Sequence, residues 1–505
     1  MMKIFSRLFY RYSFILFVCM MAFLSFSNQA IGQINVEVYE TSAHGNSLKK
    51  VTQFLDSKTP IEIEIDSSRK FQIITGFGGA FTESSAYLMT KLSANNREKI
   101  LKAYFSEEGA NYSLTRTHIN SCDFSLSNYA YANISGDNIL EHFSIDHDKN
   151  YLIPMITEAL KVSKNGFKII SSPWTAPPWM KDNNDWRGGK LLPAFRETWA
   201  LYFSKYIKAY KKEGINVWGI TVENEPLGSG NNWESMIYTP QEMTDFVHDY
   251  LGPHLEKEGL SSIKILGYDQ NRGEDLDKWA KTMFVDSLKS KYFGGTAVHW
   301  YNSTYDYFPQ SLQYTHQVSK GKYLINTEAC IDSQKPEWNN DKWFWSKHAR
   351  DWGWIWATES QKYLHPEYVP VFRYARDIIG CLNNYVDGWI DWNMVLDKNG
   401  GPNWAKNWCA APVLVDVEND EVYFTPLYYT MSHFSKFIRP GAVKIGCNIH
   451  NQELMATAVK NPDGTIALVV FNPTNEVKSL KIKFKRKIKN ISIEASALQT
   501  VIIKY

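Results

Sequence analysis

The chain has 505 residues, of which 44% are hydrophobic, 21% charged and 15% aromatic, a composition that excludes a disordered tail and a mini-domain dependent on cross-links. Its 55 Lys and Arg against 53 Asp and Glu leave a near-neutral balance, which argues against nucleic acid as the main partner. The 18 Trp, 29 Tyr and 27 Phe are the unusual feature, because flat side chains of that size serve cores, interfaces and sugar-binding clefts.

Residues 1–32 form a block of their own: Lys3, Arg7 and Arg11, an apolar run over 14–24, then Ala30-Ile31-Gly32. A basic start, a short apolar centre and small residues at −3 and −1 read as a secretory signal cut before Gln33. The run is shorter than the ~20 residues that span a bilayer, and Cys19 lacks the small preceding residue of a lipoprotein signal. The expected location is secreted, periplasmic or at the cell surface, with no membrane-spanning segment after cleavage. Without the signal the net charge falls from +2 to −1, and five cysteines remain: Cys122, Cys330, Cys381, Cys409 and Cys447. That odd number without CxxC spacing suggests neither a disulfide framework nor a zinc site.

Past the signal, apolar runs recur at 71–77, 113–119, 167–171, 217–222, 263–268, 296–300, 323–327 and 386–392. Charged and apolar residues at helical spacing separate them over 96–104, 152–163, 195–213, 240–258, 275–290 and 369–385. Eight strands alternating with helices predict a (β/α)8 TIM barrel. An open doubly wound sheet fits less well, since no GxGxxG opens a helix after the first strand, and no cofactor is expected. After about residue 430 the pattern turns to short alternating runs at 455–460, 466–471, 480–484, 488–495 and 500–505, with a hairpin turn at Asn461-Pro462-Asp463-Gly464. Segment 33–66 is also strand-like. The chain is therefore expected to divide into a signal (1–32), N-terminal strands (33–70), a barrel (71–430) and C-terminal strands (431–505), the two strand sets forming one attached β-sandwich. The basic run Lys481 to Lys489 alternates with apolar residues and reads as the wet face of a strand.

In such a barrel the active site lies at the C-terminal strand ends. The fourth strand ends in Glu223-Asn224-Glu225-Pro226 and the seventh in Glu328. A carboxyl at the mouth, backed by an apolar core, has its pKa open to displacement, and two of them are what glycosidic cleavage requires. Alternation puts Glu223 and Glu225 on one side of a continuing strand, so spacing does not choose between them. Ser121-Cys122-Asp123, Pro173-Trp174, His299-Trp300-Tyr301 and Asp391-Trp392-Asn393 end other strands, supplying rings to stack on a pyranose and groups to bond its hydroxyls. His299 has no second histidine at ligand spacing, so no metal site is expected. Gly228-Ser229-Gly230 lacks the GxSxG frame of a nucleophilic serine, and Cys330 reads as a small apolar side chain.

On Gly76-Phe77-Gly78-Gly79-Ala80-Phe81-Thr82-Glu83, Ser121 to Ser125, Ser172-Pro173-Trp174-Thr175, Glu223 to Pro226, Ala297 to Tyr301, Glu328-Ala329-Cys330, Gly388 to Asn393, Gly400 to Trp404 and Ser432 to Ile438, the chain resembles glycoside hydrolase family 30, the glucosylceramidase (acid β-glucosidase) family. The segments occur in family order over roughly residues 70 to 440. The resemblance implies a barrel with a β-sandwich and a retaining mechanism, with Glu225 as acid/base and Glu328 as nucleophile. It also implies a glucose subsite lined by Asp123, Trp174, Asn224 and Trp392, with Asn407 as a further candidate, and His299 and Tyr301 supporting the nucleophile by hydrogen bonds. The partner is then a β-glucoside, either a glucosyl lipid or a glucan. Family relatives also cleave β-1,6-glucan, and neither that choice nor exo against endo action is fixed by the sequence. A non-catalytic carbohydrate-binding protein on the same barrel is the alternative from another class, disfavoured because both glutamates are in frame. The connection from Glu328 to the eighth strand is long and carries Trp338, Trp343, Trp345, Trp352, Trp354 and Trp356, either to extend the cleft or to pack as a satellite core.

Overall fold

The computed structural model describes residues 32–55, 59–332, 334–348 and 358–505. The expected signal over 1–32 lies outside them but for its last residue. Eight parallel strands close into a barrel: β1 Gly76–Phe81, β2 Leu114–Ile119, β3 Lys168–Pro173, β4 Gly219–Thr221, β5 Lys264–Asn271, β6 Phe293–His299, β7 Tyr323–Glu328 and β8 Gly388–Asp391. Helices including Ala94–Phe105, Leu152–Val162, Arg196–Lys212, Glu274–Phe284, Pro309–Val318 and Pro370–Asn383 alternate with the strands. The helix expected to reach residue 290 ends at Phe284. Beyond it Val285 and Leu288 are exposed, and the Asp286 carboxylate accepts from the Leu288 and Lys289 amides, which competes with further helical bonds.

The first strand is displaced from the expected 71–77. Residues up to Ile73 belong to a sandwich strand, Ile61–Ile73, and the barrel begins at Gly76. Three glycines in β1 disguise it as a loop, since glycine has low strand propensity. They are there for close approach: a Cβ on Gly78 would lie 2.0 Å from the Leu114 carbonyl oxygen.

Inside the barrel, Leu114, Ile170, Leu266, Ala297, Ile325 and Ile390 meet as one buried apolar layer. Side chains alternate along a strand, so positions two residues further on point inward at the next level. That level holds Arg116, Ser172, His299, Thr327 and Trp392. The apolar layer floors the cavity above it and keeps water from entering below.

The second body is a run of ten hydrogen-bonded strands drawn from both parts of the chain, including Asn35–Ser42, Ile61–Ile73 and five strands after Met455. Ile63, Ile482, Ile491, Val38 and Val501 share its core, so the run folds over to pack its faces together. A strand unforeseen in the sequence, Val443–Ile449, pairs antiparallel with Ile61–Ile73; its Val443, Ile445, Cys447 and Ile449 alternate with Lys444, Gly446 and Asn448, a period-two pattern that marks a strand. In the basic run, Lys481 and Lys483 reach Glu62 on the adjoining strand. Helix Pro426–Ser435 joins the two bodies: His433 bonds Thr500 at 2.8 Å and Thr41 at 2.9 Å. Burial lowers the His433 pKa to about 3, so this tie is a neutral one. Among the described residues no helix is long and apolar enough to cross a membrane.

Replacing Gly78 with alanine is expected to cost about 3 kcal/mol or more, because the atom it would strike is backbone. A denaturation midpoint equal to that of the unsubstituted protein would show that β2 can yield.

Candidate active site

At the C-terminal mouth of the barrel lies a cleft of about 560 Å³ lined by Asp123, Trp174, Asn224, Glu225, Tyr301, Glu328, Trp392 and Asn407. Every proposed sugar-site residue except His299 thus borders one cavity. His299 sits fully buried behind it.

Glu328 ends β7. One of its carboxylate oxygens, Oε2, takes a 2.6 Å bond from Arg116 Nη1, and the other, Oε1, takes a 3.0 Å bond from the Tyr301 hydroxyl. Burial pushes the Glu328 carboxyl up, and the His299 and Arg116 cations oppose that shift. Arg116 also donates to Asp269 at 2.6 Å, Asn224 at 2.8 Å and Ser172 at 3.0 Å, and its guanidinium lies 5.0 Å from the Trp174 ring centre and 5.7 Å from that of Trp392. The two indoles stack at 5.2 Å, inclined by 23°. With its carbonyl oxygen committed to Arg116, Asn224 retains its amide donors for a ligand.

Glu225 lies in the left-handed backbone region, at φ 49°, a placement that costs a non-glycine residue about 1 kcal/mol or more. Its amide donates to the Asp269 carbonyl at 2.9 Å and its carbonyl accepts from Gly228 at 2.8 Å, holding the turn. The strand stops at Thr221, so the alternation expected to align Glu223 with Glu225 does not extend to them. Glu223 is fully buried outside the cleft, with the Met236 backbone amide against its carboxyl. Burial raises its pKa well above the usual range, with Lys181 only partly offsetting it.

The expectation that His299 bonds Glu328 is corrected: Nδ1 faces Glu225 at 3.3 Å and Nε2 faces Asp269 at 3.0 Å, while Tyr301 alone of the two bonds Glu328. Burial by itself would lower the His299 pKa, but Glu328, Asp269 and Glu225 raise it to about 9. Asp269, though buried, is held below the usual carboxylate range by Arg116, His299 and Thr327. Glu225, His299 and Glu328 bring one candidate ligand atom each within 4.8 Å of one another. An imidazolium with both nitrogens engaged has no lone pair for a metal, and Arg116 already neutralises Glu328, so the cluster's chemistry is protonic.

Arg116 and Asp269 are absent from the sequence-derived site. Arg116 is mid-strand, and its signal is a permanent cation inside the alternating run Leu114–Ile119. Asp269 follows the residue at which the fifth strand was expected to end. Ala297 pairs with Tyr268 and Val298 with Gln270, leaving Asp269 as the extra residue of a bulge with φ 56°. Other strand-end groups turn away from the cleft: Asp391 accepts from Tyr374 at 2.6 Å and Asn393 from Thr82 at 2.7 Å. In the tryptophan-rich connection, Trp343 is buried against Phe344 and His348, Trp338 packs on Tyr423 and Trp345 on Phe372. None of these three lines the cleft; Trp352, Trp354 and Trp356 lie outside the described residues.

Two carboxyl groups and an aromatic pair at the C-terminal mouth of a (β/α)8 barrel define a hydrolase of glycosidic bonds. The sequence matches the glycosyl hydrolase family 30 TIM-barrel domain over residues 74–353 and 358–438, and the family's β-sandwich domain over 441–501. The chain belongs to glycoside hydrolase family 30. It is 35% identical to putative glucosylceramidase 3 of Caenorhabditis elegans over 451 residues, covering 86% of this chain and 81% of that protein. It is 33% identical to lysosomal acid glucosylceramidase of Mus musculus over 451 residues, covering 87% and 83%. Among solved structures, an endo-β1,6-glucanase superposes with a TM-score of 0.79 at 28% identity, covering 93% of this chain and 100% of the other.

His299 generates a pH-dependent expectation. A folded-state pKa of about 9 against 6.5 means that its contribution to stability is full below about pH 6.5 and is lost as the pH rises through 9. The melting-temperature gap between the unsubstituted protein and His299→Gln should therefore narrow across that window. A constant gap would show that the imidazole is neutral throughout.

Proposed function

We propose that this protein is a retaining β-glycosidase that hydrolyses β-glucosidic bonds by double displacement, with Glu328 as nucleophile and Glu225 as acid/base. The observation that carries the reading is that a carboxylate oxygen of Glu225 and one of Glu328 lie within 4.8 Å of each other beside the same stacked indoles. Retaining enzymes hold their carboxyl groups about 5 to 5.5 Å apart, whereas inverting ones leave roughly 6.5 to 9.5 Å for a water.

In the first step a Glu328 oxygen forms a bond to the anomeric carbon as the glycosidic C–O bond breaks, and the proton of Glu225 passes to the departing oxygen. In the second, Glu225 takes a proton from water, whose oxygen attacks the same carbon and releases Glu328 with the original configuration restored. Trp174 and Trp392 offer an apolar face to the sugar, while Asp123, Asn224 and Asn407 offer partners for its hydroxyls.

The remaining lining of the cleft favours a second sugar unit. Ser229, Asn232, Asn271 and Asn302 line it together with Trp233, a polar wall with one flat ring, which suits a glucan such as a β-1,6-linked chain better than an acyl tail. A glucosylceramidase-like activity is the reading drawn from the relatives at 33–35% identity. Product analysis separates the two: internal oligosaccharides from β-1,6-glucan support the glucanase, and glucose from glucosylceramide the lipid hydrolase. We also propose export, with the mature chain starting at Gln33; N-terminal sequencing of the protein from the medium or periplasm checks it.

On an aryl β-glucoside, Glu328→Ala should abolish turnover and Glu225→Gln should lower it about 10²- to 10⁴-fold. Glu223→Gln, which replaces a buried protonated carboxyl by its isostere, should leave turnover near that of the unsubstituted enzyme. Full activity in Glu328→Ala would overturn the assignment.

A further inference from the structure

Two cysteines stand on the wall of the cleft. Cys330 follows β7, two residues past Glu328, and Cys409 lies in the segment after β8 that also carries Asn407; both border the cavity. Their sulfurs are 2.9 Å apart and both thiols are buried. The backbones beside them are already fastened, since Ile331 and Ala410 form an antiparallel bridge in which the Ala410 amide donates to the Ile331 carbonyl at 2.8 Å. The other described cysteines have different surroundings. Cys381 accepts from Arg272 at 2.6 Å, Cys122 from Ser125 at 3.8 Å, and Cys447 lies in sandwich strand Val443–Ile449.

We propose that Cys330 and Cys409 are a site of covalent cross-linking, joined as a disulfide that ties the strand bearing Glu328 to the loop bearing Asn407. The sulfurs stand 2.9 Å apart, within about 1 Å of disulfide bonding distance. The oxidant is a small-molecule or protein disulfide. One cysteine thiolate attacks a sulfur of that disulfide and expels the first oxidant thiol. The second cysteine thiolate then attacks the mixed disulfide, forming the Cys330–Cys409 bond and expelling the second thiol. The two cysteine protons pass, through solvent, to the two oxidant thiolates, and two electrons reduce the oxidant.

Burial pushes both thiols above the usual cysteine range, so thiolate is scarce in the folded protein and exchange is fastest while the chain is folding. The cross-link closes a separation of 79 residues, and a loop of that length restricts the unfolded chain strongly. Pairing this couple leaves Cys122, Cys381 and Cys447 as thiols.

The test uses the full chain folded in oxidised glutathione, then denatured, alkylated without reduction and digested. The expected product is a peptide pair containing Cys330 and Cys409, lighter by two hydrogens than its reduced components, lost on treatment with dithiothreitol and absent from Cys330→Ser and Cys409→Ser. The oxidised protein should melt several degrees above its reduced form, with no such shift in Cys409→Ser. Recovery of both residues as alkylated thiols, or as separate glutathione adducts, would overturn the proposal. Should either variant fail to fold, the peptide map of the unsubstituted chain decides.

Discussion

The Arg116 guanidinium, held fully inside the barrel, is the interaction on which the site depends. It is bonded at 2.6 Å to both Asp269 and Glu328, and removing one member of such a buried pair costs about 3 to 5 kcal/mol because the other charge is stranded. The same side chain takes the carbonyl oxygen of Asn224 and lies beside the rings of Trp174 and Trp392. One cation therefore orients the proposed nucleophile, turns an amide toward the cleft and backs the aromatic wall. His299 is the second cation, and its two nitrogens divide between Asp269 and Glu225. Through Asp269, which both cations bond, the two glutamates of the cleft share one ion network.

Burying an arginine at this depth requires a fold that supplies all its partners. Period-two alternation provides the first: above the apolar floor of Leu114, Ile170 and Ile390, the next inward positions on the same strands are Arg116, Ser172 and Trp392. Bulges provide the rest. Asp269 is the extra residue of β5 against β6, and Thr327 that of β7, where Val298 pairs with Asn326 and His299 with Glu328. The two bulged residues bond each other, Thr327 Oγ1 to Asp269 Oδ1 at 2.6 Å. Without these insertions alternation would carry Asp269 to the outer face. The anion that Arg116 requires is thus delivered by a local break in the sheet's own regularity.

This separates what the amino-acid sequence displays from what it hides. Strand-end residues are visible because the apolar run beside each is visible: Glu328, Trp174, Trp392 and Asp123 are each read from the end of a strand, and each borders the cleft. Residues placed by register rather than by composition are not. Asp269 looks like the start of a loop until its pairing partners are known, and β1 looks like a turn until the approach of Leu114 accounts for Gly78. The direction in which His299 bonds is likewise a matter of register, since β6 and the bulged β5 place Asp269 beside its ring. The tryptophan-rich connection marks the converse limit: Trp338, Trp343 and Trp345 suggest an extended sugar platform by composition, yet they pack against Tyr423, Phe344, His348 and Phe372.

The sharpest case is the pair Glu223 and Glu225, two identical side chains separated by one residue. A rule based on alternation treats them alike, but it holds only while the strand does, and β4 ends at Thr221. Past that point the left-handed turn at Glu225 aims its carboxyl into the cleft and beside an imidazolium, while Glu223 is enclosed away from it. A carboxyl so enclosed keeps its proton because burial penalises the anion, and it has no substrate to give that proton to. Glu225 has access to the cleft and a cationic neighbour, and it can exchange a proton with whatever occupies the site. The strain of about 1 kcal/mol or more at its backbone is the conformational cost of that access, offset by bonds to the Asp269 carbonyl and the Gly228 amide. Because Asp269 supplies that carbonyl and also a carboxylate to Arg116 and His299, the turn that aims Glu225 and the two cations behind the cleft are held by a single residue.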